Sequence, residues 1–127
     1  MKPVIVKGGN KDGEISASIG NFHLTIDRSD GNGPRSIELM LVGLGTCTFD
    51  TVRHYLGRKG LPLEKFTVEI RADASDKGKF FDTIKLNLRL DDQISEKEKK
   101  IILNVAKTCR IHNTLENKPD IIIAITS

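Results

Sequence analysis

Two side chains in this sequence are the natural candidates for covalent chemistry: Cys47, in the run GLGTC, and Cys109, in CRIHNTL. A thiolate is a nucleophile, a metal ligand and the starting point of sulfur oxidation, so a pair of thiols admits peroxide reduction, disulfide exchange or metal binding. Metal binding has the least support. Cys109 and His112 make a C-x-x-H half-site, and no partner pair with zinc spacing occurs elsewhere. A free cysteine is also among the most buried residue types and often acts as a small hydrophobe. Residue type alone leaves the reactive and the inert readings both open. His54, two turns beyond Cys47, and His112, three residues after Cys109, could each act as a base toward a thiol. Each reads at least as well as a structural histidine and is kept outside the reactive set.

The elements that must position these thiols can be read from the hydrophobic pattern. A helix is predicted from about Ser36 to about Leu56. At 100° per residue it places Met40, Leu44, Cys47 and Thr51 on one face. Leu39, Leu41, Val42, Phe49 and Val52 point elsewhere, so the helix is apolar almost all round and should be buried. Asp50 and Arg53 mark its one clear polar stripe, and Gly43 and Gly45 leave room for a close neighbour. A chain of 127 residues has little material to wrap such a helix on every side, so a homodimer is expected to cover it. A second helix is predicted from Ser95, where Ser95 and Glu98 fit a capping box. Ile101, Ile102, Val105, Ala106 and Cys109 fall on one side of it.

Before the first helix, Val4–Lys7, Glu14–Ile19 and Phe22–Asp27 read as an antiparallel hairpin or meander, followed by a polar loop, Arg28–Arg35. Between the helices comes a turn, Gly60-Leu61-Pro62, and then a strand pair. There Phe66, Val68, Ile70 and Ala72, and Ile84, Leu86, Leu88 and Leu90, alternate with polar neighbours. The link Ser75-Asp76-Lys77-Gly78 suits a hairpin turn. The closing run Asp120–Thr126 is continuously apolar and reads as a buried strand. Together these elements make a single α+β domain over 1–127.

Composition removes several classes. Aromatics are only 5% and hydrophobic residues 38%, so the core must be built mainly from Ile, Leu and Val. The formal charge of +3 comes from 20 basic and 17 acidic residues spread along the chain. No segment concentrates Lys and Arg with aromatics, which argues against nucleic acid as a partner. The start, MKPVIVKGG, lacks the apolar core of a secretory signal, and no run is long enough to span a membrane. A cytoplasmic protein is expected, with its thiols normally reduced and open to transient redox chemistry.

Two long segments carry a family resemblance. Residues 33–47, GPRSIELMLVGLGTC, resemble the OsmC-like segment GPSPMELLLAALGSC. Residues 109–115, CRIHNTL, resemble CPVHNTL. Both are in the order and at the distance found in OsmC/Ohr proteins (osmotically induced protein C and organic hydroperoxide resistance protein), and the resemblance spans nearly the whole chain. It implies an OsmC-like α+β fold assembled as an intertwined homodimer around the long helices. It also implies a thiol peroxidase. Cys47 would attack a hydroperoxide and become a sulfenic acid, and Cys109 would resolve it as a disulfide. An external thiol, a dihydrolipoyl group or a small thiol, would then reduce that disulfide. Neither metal nor other cofactor is required. Apolar residues near Cys47, including Met40 and Leu44, would favour organic hydroperoxides over hydrogen peroxide.

The pattern departs from the family in one place. A peroxidatic thiol must ionise, and apolar surroundings oppose that. Hydroperoxide-resistance members supply an Arg directly after a Gly-Gly pair, held by a Glu near the start of the buried helix. Here Gly8-Gly9 is followed by Asn10 and Lys11. Lys11 and Arg28 are the candidate substitutes. Glu38 matches the motif glutamate and joins Cys47 and Cys109 in the expected catalytic set. On an ideal helix it lies on the face opposite Cys47, about 13.5 Å along the axis, so its part would be to hold a cation. An N-terminal helix carboxylate favoured by the dipole is the alternative. Asp50, one turn beyond Cys47, would oppose ionisation if close. The missing Arg supports a second reading, a non-peroxidatic OsmC-like protein that binds a small apolar ligand at its dimer interface. A third is a structural or redox-buffering protein with two unreactive thiols.

Overall fold

The computed structural model describes residues 1–29, 33–61 and 66–126. The middle of the polar loop and Pro62 of the expected turn lie outside the described residues. The elements run β1 (Ile5–Gly8), β2 (Glu14–Ile19), β3 (Phe22–Asp27), α1 (Ser36–Lys59), β4 (Thr67–Ala74), β5 (Phe81–Arg89), α2 (Glu96–Ala106) and α3 (Arg110–Glu116). The fold is α+β with antiparallel sheets, as the pattern predicts. The chain forms two compact units, Met1–Met40 and Leu41–Ser127.

The first unit is a meander in the order β1-β2-β3. Ile5 stands opposite Ser18, and Ile19 opposite Phe22 across a two-residue turn. That turn needs a left-handed residue, and Gly20 supplies it at φ 59°. Ala17 and Ile26 are buried, while Val4, Val6, Phe22 and Leu24 are exposed.

In the second unit β4 and β5 pair with Val68 opposite Leu88, Ile70 opposite Leu86 and Ala72 opposite Ile84. Alternation places these six on one face and leaves Glu69, Arg71, Asp73 and Lys85 on the other. There Arg71 and Arg89 both pair with Glu69, and Lys85 with Asp73. Gly78 turns the hairpin at φ 69°, with Ser75 N–H donating to the Phe80 carbonyl at 2.8 Å.

The core of this unit gathers Val52, Tyr55 and Leu56 of α1 with Phe66, Ile94, Ile102 and Ala106. Phe49 stacks on Phe66 with ring centroids 4.6 Å apart. The room expected at the helix glycines is used at one of them. A Cβ on Gly45 would stand 2.6 Å from Ile70 Cδ1, whereas one on Gly43 would meet nothing within 4 Å. The helix is therefore not buried all round: Leu44, Thr48, Val52, Tyr55 and Leu56 form its covered stripe, and Met40 and Val42 stay open.

Two expectations need correction. Cys109 does not lie on α2. The helix stops at Ala106 in a tightened last turn, where the Thr108 amide at 3.0 Å and the Thr108 hydroxyl at 2.7 Å both donate to the Val105 carbonyl. Cys109 follows in an extended conformation (φ −57°, ψ 136°) as the N-cap of a separate helix, α3. Asn113 and Thr114 fall inside that helix. The second correction concerns Asp120–Thr126, which forms no strand; Ile121, Ile122, Ile123 and Ile125 are 84–95% exposed. A strand needs a ladder partner, and among the described residues none pairs with this run.

Candidate functional site

The turn between α2 and α3 and the middle of α1 bring the two thiols together. Cys47 is half-buried and lines an open cleft of about 720 Å³, all within the second unit. The Cys109 sulfur neighbours the Cys47 thiol and is only 1% exposed. Nothing local in the sequence forces this meeting. It follows from packing α1 against α2, because Ile102 and Ala106 are buried in the same cluster as Val52 and Leu56.

Cys109 sits in a nest of donors. His112 N–H donates to its sulfur at 3.4 Å. Burial pushes the Cys109 thiol up. The neighbouring Cys47 thiol, His112 amide, Thr48 hydroxyl and Ile111 amide outweigh that and hold it below the ordinary thiol value. Every one of those donors is neutral. Thr48 is 1% exposed, and its Oγ1 has no hydrogen-bond partner of ordinary geometry.

The other cleft walls are Gly43, Gly45, Thr46, Phe49, Val68 and Ile111, with Asp50 and Arg53 at the polar edge. Arg53 Nη2 pairs with Asp50 Oδ1, and its guanidinium stands 5.8 Å from the Phe49 ring centre. Arg53 is thus a cation on the wall that holds Cys47. Sequence reasoning placed it on a polar stripe and gave it no part in the chemistry, because the helical-face rule does not show which side chains come to line one cleft. Thr48, too, was passed over; its only signal was a polar residue on the apolar stripe of α1.

The remaining sequence candidates are engaged elsewhere. Glu38 lies in the first turn of α1, where its Oε1 accepts the Arg35 amide at 2.7 Å and pairs with the Arg35 side chain at 3.6 Å. This is the helix-start role set out as its alternative. Lys11 pairs with Asp27 at 3.4 Å, and Arg28 Nη1 donates to Ser36 Oγ at 2.9 Å, both inside the first unit. The His112 ring pairs with Glu116 at 3.3 Å and shares no metal geometry with Cys109. Among the described residues no group of three or more His, Cys, Asp or Glu converges as metal ligands would. Nor is any described helix long and apolar enough to cross a membrane.

Comparison with known proteins agrees with this fold. The chain is similar to an OsmC-like protein from Mycoplasma pneumoniae at 25% identity, TM-score 0.78, over 93% of this chain and 89% of that one. It shares its fold with an organic hydroperoxide resistance protein OsmC from Legionella pneumophila at 18% identity, TM-score 0.61, over 89% and 88%. The organic hydroperoxide resistance protein OhrB of Bacillus subtilis matches at 12% identity, TM-score 0.59, over 91% and 92%. No curated protein sequence matches. The model of the family described as OsmC-like protein matches residues 29–124, a span that includes both cysteines, and the chain belongs to the OsmC/Ohr family.

Proposed function

We propose that the protein is a thiol-dependent hydroperoxide reductase of the reducing cytoplasm. The observation that carries this reading is Cys47 on the cleft wall with the buried Cys109 beside it. A peroxide entering the cleft meets Cys47 first. Attack on the O–O bond leaves a Cys47 sulfenic acid and releases an alcohol. Cys109, already in reach, then condenses with it to a disulfide, which an external dithiol such as a dihydrolipoyl group reduces by exchange. Glu38 is assigned the part of a carboxylate that holds a guanidinium, the one it pairs being that of Arg35. Phe49, Val68 and Ile111 make the cleft a better host for organic hydroperoxides than for hydrogen peroxide. Membership of the OsmC/Ohr family supports hydroperoxide chemistry in general.

Assembly as a homodimer belongs to the same reading. Open Met40 and Val42 and the bare isoleucines of the C-terminal run are apolar surface that a second copy would cover.

The test is hydroperoxide consumption by purified protein with dithiothreitol or dihydrolipoamide. Cumene hydroperoxide should turn over faster than hydrogen peroxide, Cys47→Ser should abolish turnover, and Cys109→Ser should stall after one oxidation. Mild peroxide should give a Cys47–Cys109 disulfide by mass spectrometry. Absence of turnover with both reductants would reject the reading.

A second reading is favoured by a separate cleft of about 340 Å³, with Leu44, Phe81, Ile84, Leu86 and Leu115 on its apolar side and Asp82, His112, Glu116 and Lys118 on its polar side. Its size and apolar walls suit a small hydrophobic ligand. Ligand binding without peroxide turnover would make this the function.

A further inference from the structure

We propose that Arg53, His54 and Arg58 form an anion-binding extension of the Cys47 cleft, and that it receives the free carboxylate of a small thiol, the reductant that opens the Cys47–Cys109 disulfide. Two clefts share one side chain. Arg53 borders the cleft that holds Cys47, and it also lines a second cleft of about 330 Å³ with His54, Gly57 and Arg58. Around α1, His54 and Arg58 each fall within about 20° of Cys47, and Gly57 falls between that ridge and Arg53. A Cβ on Gly57 would meet nothing within 4 Å, so the floor between the basic walls carries no side chain. A groove thus runs along the helix from the thiol to a basic end.

Among the described residues Asp50 is the one carboxylate lining either cleft, set against the guanidinium groups of Arg53 and Arg58. It engages Arg53 through Nη2, which leaves other guanidinium N–H groups for a ligand. Both members of the pair are more than half exposed, and an exposed pair is weak, so an arriving carboxylate competes with Asp50 on even terms. At roughly 1.5 Å per residue Arg53 lies about 9 Å beyond Cys47 along the axis, less than about three extended residues of chain. A molecule of small-peptide length spans from sulfur to cation.

Charge decides which half-reaction the groove serves. A simple organic hydroperoxide and its alcohol product are neutral, and the apolar wall of Phe49, Val68 and Ile111 suits them. The attacking form of a thiol is the thiolate, an anion that a basic wall draws in. Cys109 is 1% exposed, so the disulfide presents its Cys47 sulfur to the cleft that Arg53 borders.

The groove deepens the peroxidase reading and rests on it for the disulfide alone. The reductant's thiolate attacks the Cys47 sulfur; a new S–S bond forms, the Cys47–Cys109 bond breaks, and Cys109 leaves as thiolate and takes a proton from water. A second thiolate, of the same molecule in a dithiol, attacks the reductant's sulfur in the mixed disulfide. Cys47 leaves and is protonated in turn. The cysteine pair gains two electrons and two protons, and the reductant, having lost both, departs as a disulfide.

The test needs no peroxide. Diamide closes the disulfide, and its reduction is timed with dihydrolipoate and with dihydrolipoamide, the same dithiol bearing a carboxylate or a neutral amide. Hydroxyethyl disulfide gives the baseline ratio of the two rates. At low salt the acid is expected to exceed that baseline about fivefold, and the excess should vanish at about 1 M salt, where the Debye length falls to about 3 Å. Arg53→Gln combined with Arg58→Gln should remove it; both side chains are exposed, and the amide spectrum checks the fold. On reduced protein, alkylation of Cys47 by iodoacetate relative to iodoacetamide should show the same excess over a free thiol. A baseline ratio in the unaltered protein would overturn the proposal, as would an excess that the double substitution leaves in place. An excess for iodoacetate without one for dihydrolipoate would overturn the assignment to a thiol, and so would a protein that diamide cannot close. Loss of hydroperoxide turnover with the acid preference intact would reject the peroxidase and leave the groove standing.

Discussion

The Tyr55 hydroxyl donates to Glu98 Oε1, tying the middle of α1 to the first turn of α2. The bond joins the helix that carries Cys47 to the one that leads to Cys109. It also explains why the expected capping box is only half made. Ser95 Oγ accepts the Glu98 amide at 3.1 Å, and the Glu98 carboxylate turns to Tyr55.

Tyr55→Phe removes that donor, and a melting temperature lower by a few degrees is expected near neutral pH. The hydrogen bond to Glu98 raises the Tyr55 hydroxyl above its ordinary value of 10.0. A raised folded value means the folded state holds its proton more tightly than the unfolded chain. The stabilisation is therefore complete below pH 10 and fades as pH rises through the folded value. Thermal melts of both proteins should differ at neutral pH and converge in strong alkali; a constant gap would show that the hydroxyl acts through packing alone.

Ile102 is fully buried in the cluster that α1 and α2 share. Ile102→Ala should cost about 2–5 kcal/mol in denaturant unfolding. Because the same contact aligns the two thiols, peroxide-driven Cys47–Cys109 disulfide formation should slow in the variant while it remains folded. Undiminished disulfide yield would mean that α1–α2 packing does not set the sulfur geometry.

Asp50 holds Arg53 on the cleft wall. With Asp50→Asn the guanidinium is released toward the thiol beside it and a negative charge is removed. Alkylation of Cys47 at pH 7 is expected to speed up several-fold, and the gain should shrink at high salt because both side chains are exposed. Arg53→Gln should not show the gain. Equal rates in wild type and Asp50→Asn would remove the pair from any part in Cys47 reactivity.

If the C-terminal isoleucines close a homodimer, a charge among them should open it. Ile123 is 88% exposed in the single chain. Ile123→Asp should shift the mass measured by light scattering from twice that of the 14.1 kDa chain toward that of the single chain. A wild type that is already monomeric at micromolar concentration would end the dimer proposal.

The physics of short-range order made much of this protein legible in its sequence. Alternation in 66–72 and 84–90 fixes strands with one wet face, because a period of two has no other low-energy solution beside water. The Gly20 and Gly78 turns and the Ser95 cap are likewise local, each answering a backbone requirement within a few residues. Motif likeness found the family and both cysteines.

Tertiary structure decided what depends on contacts distant in the chain. α2 ends at Ala106, before Cys109, in a turn that closes on the Val105 carbonyl, and the periodicity of the apolar face does not register where a helix stops. Helical faces placed Cys47 but did not show that Arg53 lines the same cleft. Above all, the approach of Cys109 to Cys47 and Thr48 is set by the packing of Ile102 and Ala106 on Val52 and Leu56, a long-range burial that no local pattern encodes.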